Sequence, residues 1–208
     1  GVNSPNTADF VAKFTTTAAA KVSAVNLEFF AASATTYRVA IYPDSGSGTP
    51  GLVPLYEDAV DRTVAAAGPV TITLPTPIAV GPGTFFAGVQ QTNTTNASIS
   101  FDNETPIRSG AFYLAVPHPA TAWFDFAPGN DFKLNIGVTL VQCSTAAECN
   151  DNNACTDDAC TNGLCLHTNN TATSCDGNPC SDPDQCLNGT CIPGPNPCSD
   201  SNACTIDL

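Results

Sequence analysis

Phe132-Lys-Leu-Asn-Ile-Gly-Val-Thr-Leu140 sets an apolar side chain at every second position, with Lys133, Asn135, Gly137 and Thr139 between them. A period of two marks a strand that buries one face and wets the other. The pattern recurs upstream. Over residues 20–31, Val25, Leu27 and Phe29 share a side. Tyr37, Val39 and Ile41 alternate with Arg38, Ala40 and Tyr42, and Val70, Ile72 and Leu74 stand opposite Thr71 and Thr73. Further strand candidates cover 84–91, 97–101, 111–116 and 122–126. Turn formers separate them, among them Pro43-Asp-Ser-Gly-Ser-Gly48, Gly81-Pro-Gly83 and Pro128-Gly-Asn-Asp131. No stretch joins helical periodicity to good caps. About nine or ten short strands so punctuated predict an all-β fold, an antiparallel β-sandwich of jelly-roll type.

The composition changes abruptly near Cys143. All eleven cysteines lie from Cys143 to Cys204, every Phe, Tyr and Trp lies before them, and all six Lys and Arg lie at or before Lys133. Residues 1–142 therefore read as the sandwich, and residues 143–208 as a disulfide-rich segment with little regular secondary structure. Six basic residues face nineteen acidic ones, a formal charge of −13, and nine of the acids fall in the tail without a base. Nucleic acid and anionic lipid need a basic face, so neither is an expected partner; multivalent cations are. The longest apolar runs fall short of the ~20 residues of a membrane span, so no membrane insertion is expected. The chain starts at Gly1 with no basic-then-apolar leader, as expected if a targeting peptide has been removed.

Within the tail three stretches align: Asp151-Asn-Asn-Ala-Cys155-Thr-Asp-Asp158, Asp176-Gly-Asn-Pro-Cys180-Ser-Asp-Pro-Asp184 and Asp200-Ser-Asn-Ala-Cys204-Thr-Ile-Asp207. They mark an internal repeat with copies near 149–165, 175–191 and 198–208. An Asn-Gly turn closed by cysteine follows the first two, at Asn162-Gly-Leu-Cys165 and Asn188-Gly-Thr-Cys191. The third copy breaks off at Leu208, before a counterpart of Cys160. Either the chain once continued to a twelfth cysteine, or a thiol is free or bonded to a neighbouring molecule. From Cys143 onward the large apolar residues are Leu164, Leu166, Leu187, Ile192, Ile206 and Leu208. At ~1.5–3 kcal/mol each they cannot offset the ordering of so long a segment at ~1–2 kcal/mol per residue. Disulfides and bound metal are the remaining restraints. The disulfide candidates are Cys143, Cys149, Cys155, Cys160, Cys165, Cys175, Cys180, Cys186, Cys191, Cys198 and Cys204, with the pairing open; they imply an oxidising, extracellular setting.

Carboxylate and amide oxygens at alternate positions of a tight turn can converge on a hard cation. The candidates are Asp151, Asn153, Asp157 and Asp158 in the first copy, Asp176, Asn178, Asp182 and Asp184 in the second, and Asp200, Asn202 and Asp207 in the third. An all-oxygen set suits Ca²⁺ over Mg²⁺, and the loop is too short for an EF-hand. Zinc is not expected: there is no C-x-x-C, and His167 stands alone.

Two resemblances accompany this reading. Tyr37-Arg-Val-Ala-Ile-Tyr42, Gly48-Thr-Pro-Gly51, Val70-Thr-Ile-Thr-Leu-Pro75, Phe85-Phe-Ala-Gly-Val89, Trp123 and the closing strand resemble a jelly-roll-like sandwich of secreted and surface proteins of bacteria and archaea. That resemblance implies location and architecture, not an activity. Cys155-Thr-Asp-Asp-Ala-Cys160, Asn162-Gly-Leu-Cys165 and His167 resemble the cysteine-rich repeats of slime-mould extracellular-matrix proteins and, more loosely, thrombospondin-type calcium repeats. The second copy departs from that pattern by one extra residue within Ser181-Asp-Pro-Asp-Gln185.

No catalytic signature stands out. His118, between two prolines, reads as a loop residue, and the pairs Asp102/Glu104 and Asp125/Asp131 read as acidic loops rather than a glycosidase dyad. The expectation is a non-enzymatic, secreted structural protein that self-associates into a surface fibre or matrix, its Ca²⁺-binding, disulfide-stapled repeats making it rigid. Residues 10–17 are a candidate strand for a neighbour's sheet. The competing expectation is a carbohydrate-binding accessory or adhesin module, with glycans stacking on Trp123, Tyr42, Tyr56 or Tyr113.

Overall fold

The computed structural model describes residues 6–106, 108–127, 132–177 and 183–195, with Phe132 described by its backbone alone. The chain divides into two compact units, Gly1–Val141 and Gln142–Leu208. In the first, twelve strands are described: β1 (Ala8–Thr16), β2 (Ala20–Phe29), β3 (Ser33–Pro43), β4 (Tyr56–Glu57), β5 (Arg62–Val64), β6 (Gly68–Val80), β7 (Gly83–Gln91), β8 (Phe101–Asn103), β9 (Phe112–Ala115), β10 (Phe124–Asp125), β11 (Phe132–Leu134) and β12 (Ile136–Val141). A seven-stranded sheet runs β10-β9-β1-β7-β3-β4, with β5 also on β3; a three-stranded sheet runs β12-β2-β6; β8 pairs β11. Every pairing is antiparallel. Phe10, Val39, Ile41, Phe85 and Val89 of the larger sheet meet Val25, Leu27, Ile72 and Leu74 of the smaller in one core. The fold is the antiparallel sandwich that the alternation predicts.

Three departures have physical causes. The series at 132–140 is two strands: the Asn135 N–H donates to the Ser100 carbonyl and its carbonyl accepts from Glu28 N–H, so the chain passes from β8 to β2 at that residue. At a register shift between Thr139 and Leu140 the pairing skips Ser23 of β2, and Leu140, beyond it, is 41% exposed. The central strands do not wet their second face. Val11, Ala40, Tyr42, Phe86 and Tyr113 form another buried cluster there, with Trp123 against it. Polar tips of its aromatic residues tie the covering loops, Tyr113 Oη donating to the Gly48 carbonyl (3.1 Å) and Trp123 Nε1 to that of Gly51 (3.1 Å).

The third concerns the N-terminal strand. The strand expected at residues 10–17 is β1, and it lies inside its own sheet, paired with β7 from Ala8 to Thr16 on one edge and with β9 on the other. Both edges are paired over Asp9–Ala12, whereas from Phe14 to Thr16 the strand pairs with β7 alone. The smaller sheet ends instead on β6, which carries Pro69, Pro75 and Pro77, and its register with β2 shifts between Val22 and Ala24. Proline lacks an N–H, so this edge is a poor template for another strand.

The second unit is more regular than its sequence suggests. A 3₁₀ turn, Ala146–Cys149, precedes two hairpins, β13 (Thr156–Thr161) with β14 (Leu164–Asn169) and β15 (Gln185–Leu187) with β16 (Thr190–Ile192). Each turns on Asn-Gly with positive φ at both residues, 52° and 79° at Asn162-Gly163, 51° and 77° at Asn188-Gly189. That is the type I′ geometry matched to strand twist, and it explains the repeated Asn-Gly.

Candidate functional site

Four disulfides are described: Cys143–Cys160, Cys149–Cys165, Cys155–Cys186 and Cys175–Cys191. Cys149–Cys165 and Cys175–Cys191 occupy corresponding places in the two copies. Cys155–Cys186 joins copy one to copy two. The cross-strand neighbours Cys160 and Cys165 do not bond each other; both reach back to the segment before the hairpin and fasten it there. Hydrogen bonds reinforce the joint between copies: Asn153 Nδ2 donates to the Gly189 carbonyl (2.8 Å), and Cys186 N–H to that of Ala172 (3.2 Å). Cys180, Cys198 and Cys204 lie outside the described residues.

Of the expected cation ligands, Asp151 and Asp158 come together, and His167 joins them. Asp158 and His167 are register partners on β13 and β14, with His167 Nδ1 at 2.6 Å from Asp158 Oδ1 and 3.5 Å from Asp151 Oδ2. Each carboxylate is oriented by its other oxygen. Asp151 Oδ1 accepts from Asn153 N–H (2.9 Å) and Thr156 Oγ1 (3.0 Å), and Asp158 Oδ2 accepts from Asp151 N–H (3.1 Å). The Asn153 N–H bond, above all, holds the Asp151 carboxyl below its ordinary range.

The other first-copy candidates turn away. Asn153 Oδ1 accepts from Cys155 N–H, closing an Asx turn, and Asp157 faces the opposite side of β13 and accepts from Asn170 Nδ2 (3.0 Å). Two carboxylates converge here, against the about six to eight oxygens Ca²⁺ gathers.

In the second copy Asp184 is enclosed, 1% exposed, and braces the turn: Oδ2 accepts from the N–H groups of Cys175 (3.0 Å) and Asp176 (3.1 Å), Oδ1 from that of Gly194 (3.2 Å). These bonds, that from Cys175 first, draw its pKa down to about 2. Asp176 stands beside it. Asn178, Asp182, Asp200, Asn202 and Asp207 lie outside the described residues.

His167 was legible in principle. Asp158 and His167 are equidistant from the Asn162-Gly163 turn, so a two-residue hairpin must set them opposite each other. Its isolation along the chain hid a short distance in space. Cysteine-ligated zinc finds no support, because every described cysteine is oxidised.

In the sandwich His118 is a loop residue whose Nδ1 lies 2.8 Å from Asp9 Oδ1. Burial pushes the Asp9 carboxyl up, and the hydrogen bond to Asp9 raises His118. The paired carboxylates are engaged elsewhere: Glu104 with Arg108, Asp102 with Lys133 at 3.8 Å, and Asp125 with Ser109 Oγ and the N–H groups of Gly110 and Ala127. Asp131 lies outside the described residues. Tyr42 and Tyr113 are buried, while Trp123 is half-buried and meets Tyr42 edge-on at 5.2 Å. Tyr56 is half-buried and donates to Asp58 (2.9 Å). A cleft of about 390 Å³ opens elsewhere, lined by Phe14, Glu28, Arg108, Phe112, Lys133 and Asn135 among others, with the Arg108 guanidinium 5.2 Å above the Phe112 ring.

No protein-family model and no curated protein matches the chain. Among solved structures it is similar to the cysteine protease and lectin-like domains of Cwp84, a surface layer associated protein of Clostridium difficile, with 15% identity over 65% of this chain and a TM-score of 0.50. It also matches a clostridial cysteine protease, Cwp84, after propeptide cleavage, with 16% identity over 64% of the chain and a TM-score of 0.49. What is shared is the fold. The chain spans about a third of the length of those structures, 32% and 35%, and the likeness falls on the lectin-like part.

Proposed function

We propose that this chain is a non-enzymatic module of the cell surface or extracellular matrix, in which a β-sandwich is joined to a covalently stapled repeat segment whose role is mechanical. The bond that carries this reading is Cys155–Cys186, which fastens one repeat to the next where apolar contacts are scarce. Leu164, Leu166, Leu187 and Ile192 are 46–61% exposed, so sulfur rather than a private core holds the copies together. Such bonds persist in oxidising compartments. Among the described residues no helix is long and apolar enough to cross a membrane. The fold shared with the lectin-like part of a surface-layer protein supports an accessory place in that setting, and the Asp151–Asp158 pair offers a divalent cation its anchor. Self-association into a fibre or matrix is part of this reading. Protease shaving of intact source cells should release peptides of this chain, and electron microscopy of the released material should show assemblies. Recovery from the cytosol alone would refute the reading.

The cleft under Arg108 favours a second reading as a glycan-binding module, since its volume and its mix of aromatic, amide and charged groups suit a saccharide. Glycan-array binding lost on Phe112→Ala, with the fold retained, would favour it over the structural role.

A further inference from the structure

We infer that Asp151, Asp158 and His167 form a binding site for a first-row divalent transition metal of the zinc class rather than for Ca²⁺. The inference rests on the proposed cation-binding role of the first repeat and names the ion. One imidazole nitrogen and two carboxylate oxygens, all within 4.8 Å of one another, are a mixed donor set of the kind that binds borderline cations; hard Ca²⁺ prefers oxygen alone. Around Zn²⁺ at ~2.0–2.2 Å from each ligand, tetrahedral ligand atoms stand about 3.4 Å apart. Nδ1 and Asp151 Oδ2 are already 3.5 Å apart, and Nδ1 and Asp158 Oδ1, at 2.6 Å, need to open by less than about 1 Å. Water would complete the shell.

The ligands are also held in place. Each carboxylate spends one oxygen on hydrogen bonds from Asn153, Thr156 or the Asp151 N–H and turns the other toward the imidazole. Supporting bonds of this kind orient ligands in metal sites. His167 is fixed at its register on β14 by the type I′ turn and the Cys149–Cys165 bridge. The second copy supplies an internal contrast. Its counterpart of Asp158, Asp184, spends both oxygens on backbone N–H groups, and Pro193 occupies the place corresponding to His167. The site therefore belongs to the first repeat, and a single ion per chain is expected from these two copies.

The test uses the full chain with any free thiols alkylated beforehand, so that thiolate cannot capture metal. Zn²⁺ and Ca²⁺ are titrated separately by calorimetry, while the His167 ring nitrogens are followed by NMR. Zn²⁺ should bind and shift the His167 Nδ1 resonance, and His167→Gln should weaken Zn²⁺ at least about 100-fold. Ca²⁺ should bind more weakly than Zn²⁺ and be indifferent to that substitution. Unchanged disulfide mapping and amide exchange would show the variant to be folded. Zn²⁺ affinity independent of His167 would overturn the inference, and so would Ca²⁺ bound at least as tightly as Zn²⁺, although the latter would leave the cation-binding reading standing. Failure of both ions to bind would remove both readings.

Discussion

Replacing Cys155 and Cys186 together by alanine removes the one described covalent bond between the two repeats without leaving a free thiol. The bridged residues are 31 apart in sequence. Chain entropy for a loop of that size corresponds to about 3.7 kcal/mol at 25 °C. Cys149–Cys165 and Cys175–Cys191 remain, however, and provide a shorter covalent path between the two positions. That path has about 23 residues, which lowers the expected loss to about 3.4 kcal/mol. The second unit has no Phe, Tyr or Trp, so ordinary fluorescence does not see it. Hydrogen exchange does. Amides of both hairpins should exchange up to about 300-fold faster in the variant, or become unprotected if the unit holds less stability than that. The Trp123 fluorescence transition of the sandwich should keep its denaturant midpoint. Exchange within about tenfold of the wild type in both hairpins would show that the bridge does not carry the segment.

Other outcomes follow from single residues. Gly88→Ala should cost more than about 3 kcal/mol in urea unfolding, because the new Cβ would sit 1.9 Å from the Phe10 carbonyl oxygen, a backbone atom of the adjacent strand. Asp58 is buried and accepts from Arg62 Nε (2.6 Å), Val39 N–H (3.0 Å) and Tyr56 Oη (2.9 Å), bonds that outweigh the upward push of burial and hold its carboxyl below the ordinary range. Asp58→Ala should therefore lower sandwich stability by about 2–3 kcal/mol, the partial exposure of Arg62 keeping the loss modest. Because Asp184 titrates lower folded than unfolded, its contribution is complete above about pH 4 and disappears as pH falls from 3.8 toward about 2. Protection of the Cys175, Asp176 and Gly194 amides, their exchange rate relative to the intrinsic rate at each pH, should fall in that window and, in Asp184→Asn, lose that pH dependence. Gly189→Ala should loosen the joint between copies, since φ is +77° and the added Cβ would lie 2.7 Å from Asn169 Oδ1; faster exchange at Cys186 would register it.

Local pattern and three-dimensional placement contributed differently. Val25, Leu27 and Phe29 are buried as their period of two required, because a strand against a core has one choice of face. Tyr42 and Leu140 broke the same rule in opposite directions. Tyr42 is covered by loops that no strand periodicity encodes, and Leu140 lies beyond a register shift near the end of β12, the outer strand of its sheet. At the candidate site the residue types Asp and Asn were legible, but their destinations were not: an Asx oxygen closes a turn as readily as it binds a cation, and Asn153 and Asp184 do the former. His167 became a partner only through strand register.

The sequence by itself determined the two modules, the sandwich class and the hairpin turns, because composition, alternation and Asn-Gly dipeptides act over a few neighbouring residues. Which cysteines bond, which face β3 covers, where β1 pairs and which ligand set assembles were decided only by the tertiary structure. Those outcomes depend on distances between residues remote along the chain, which sheet order and loop closure fix together and no local pattern specifies.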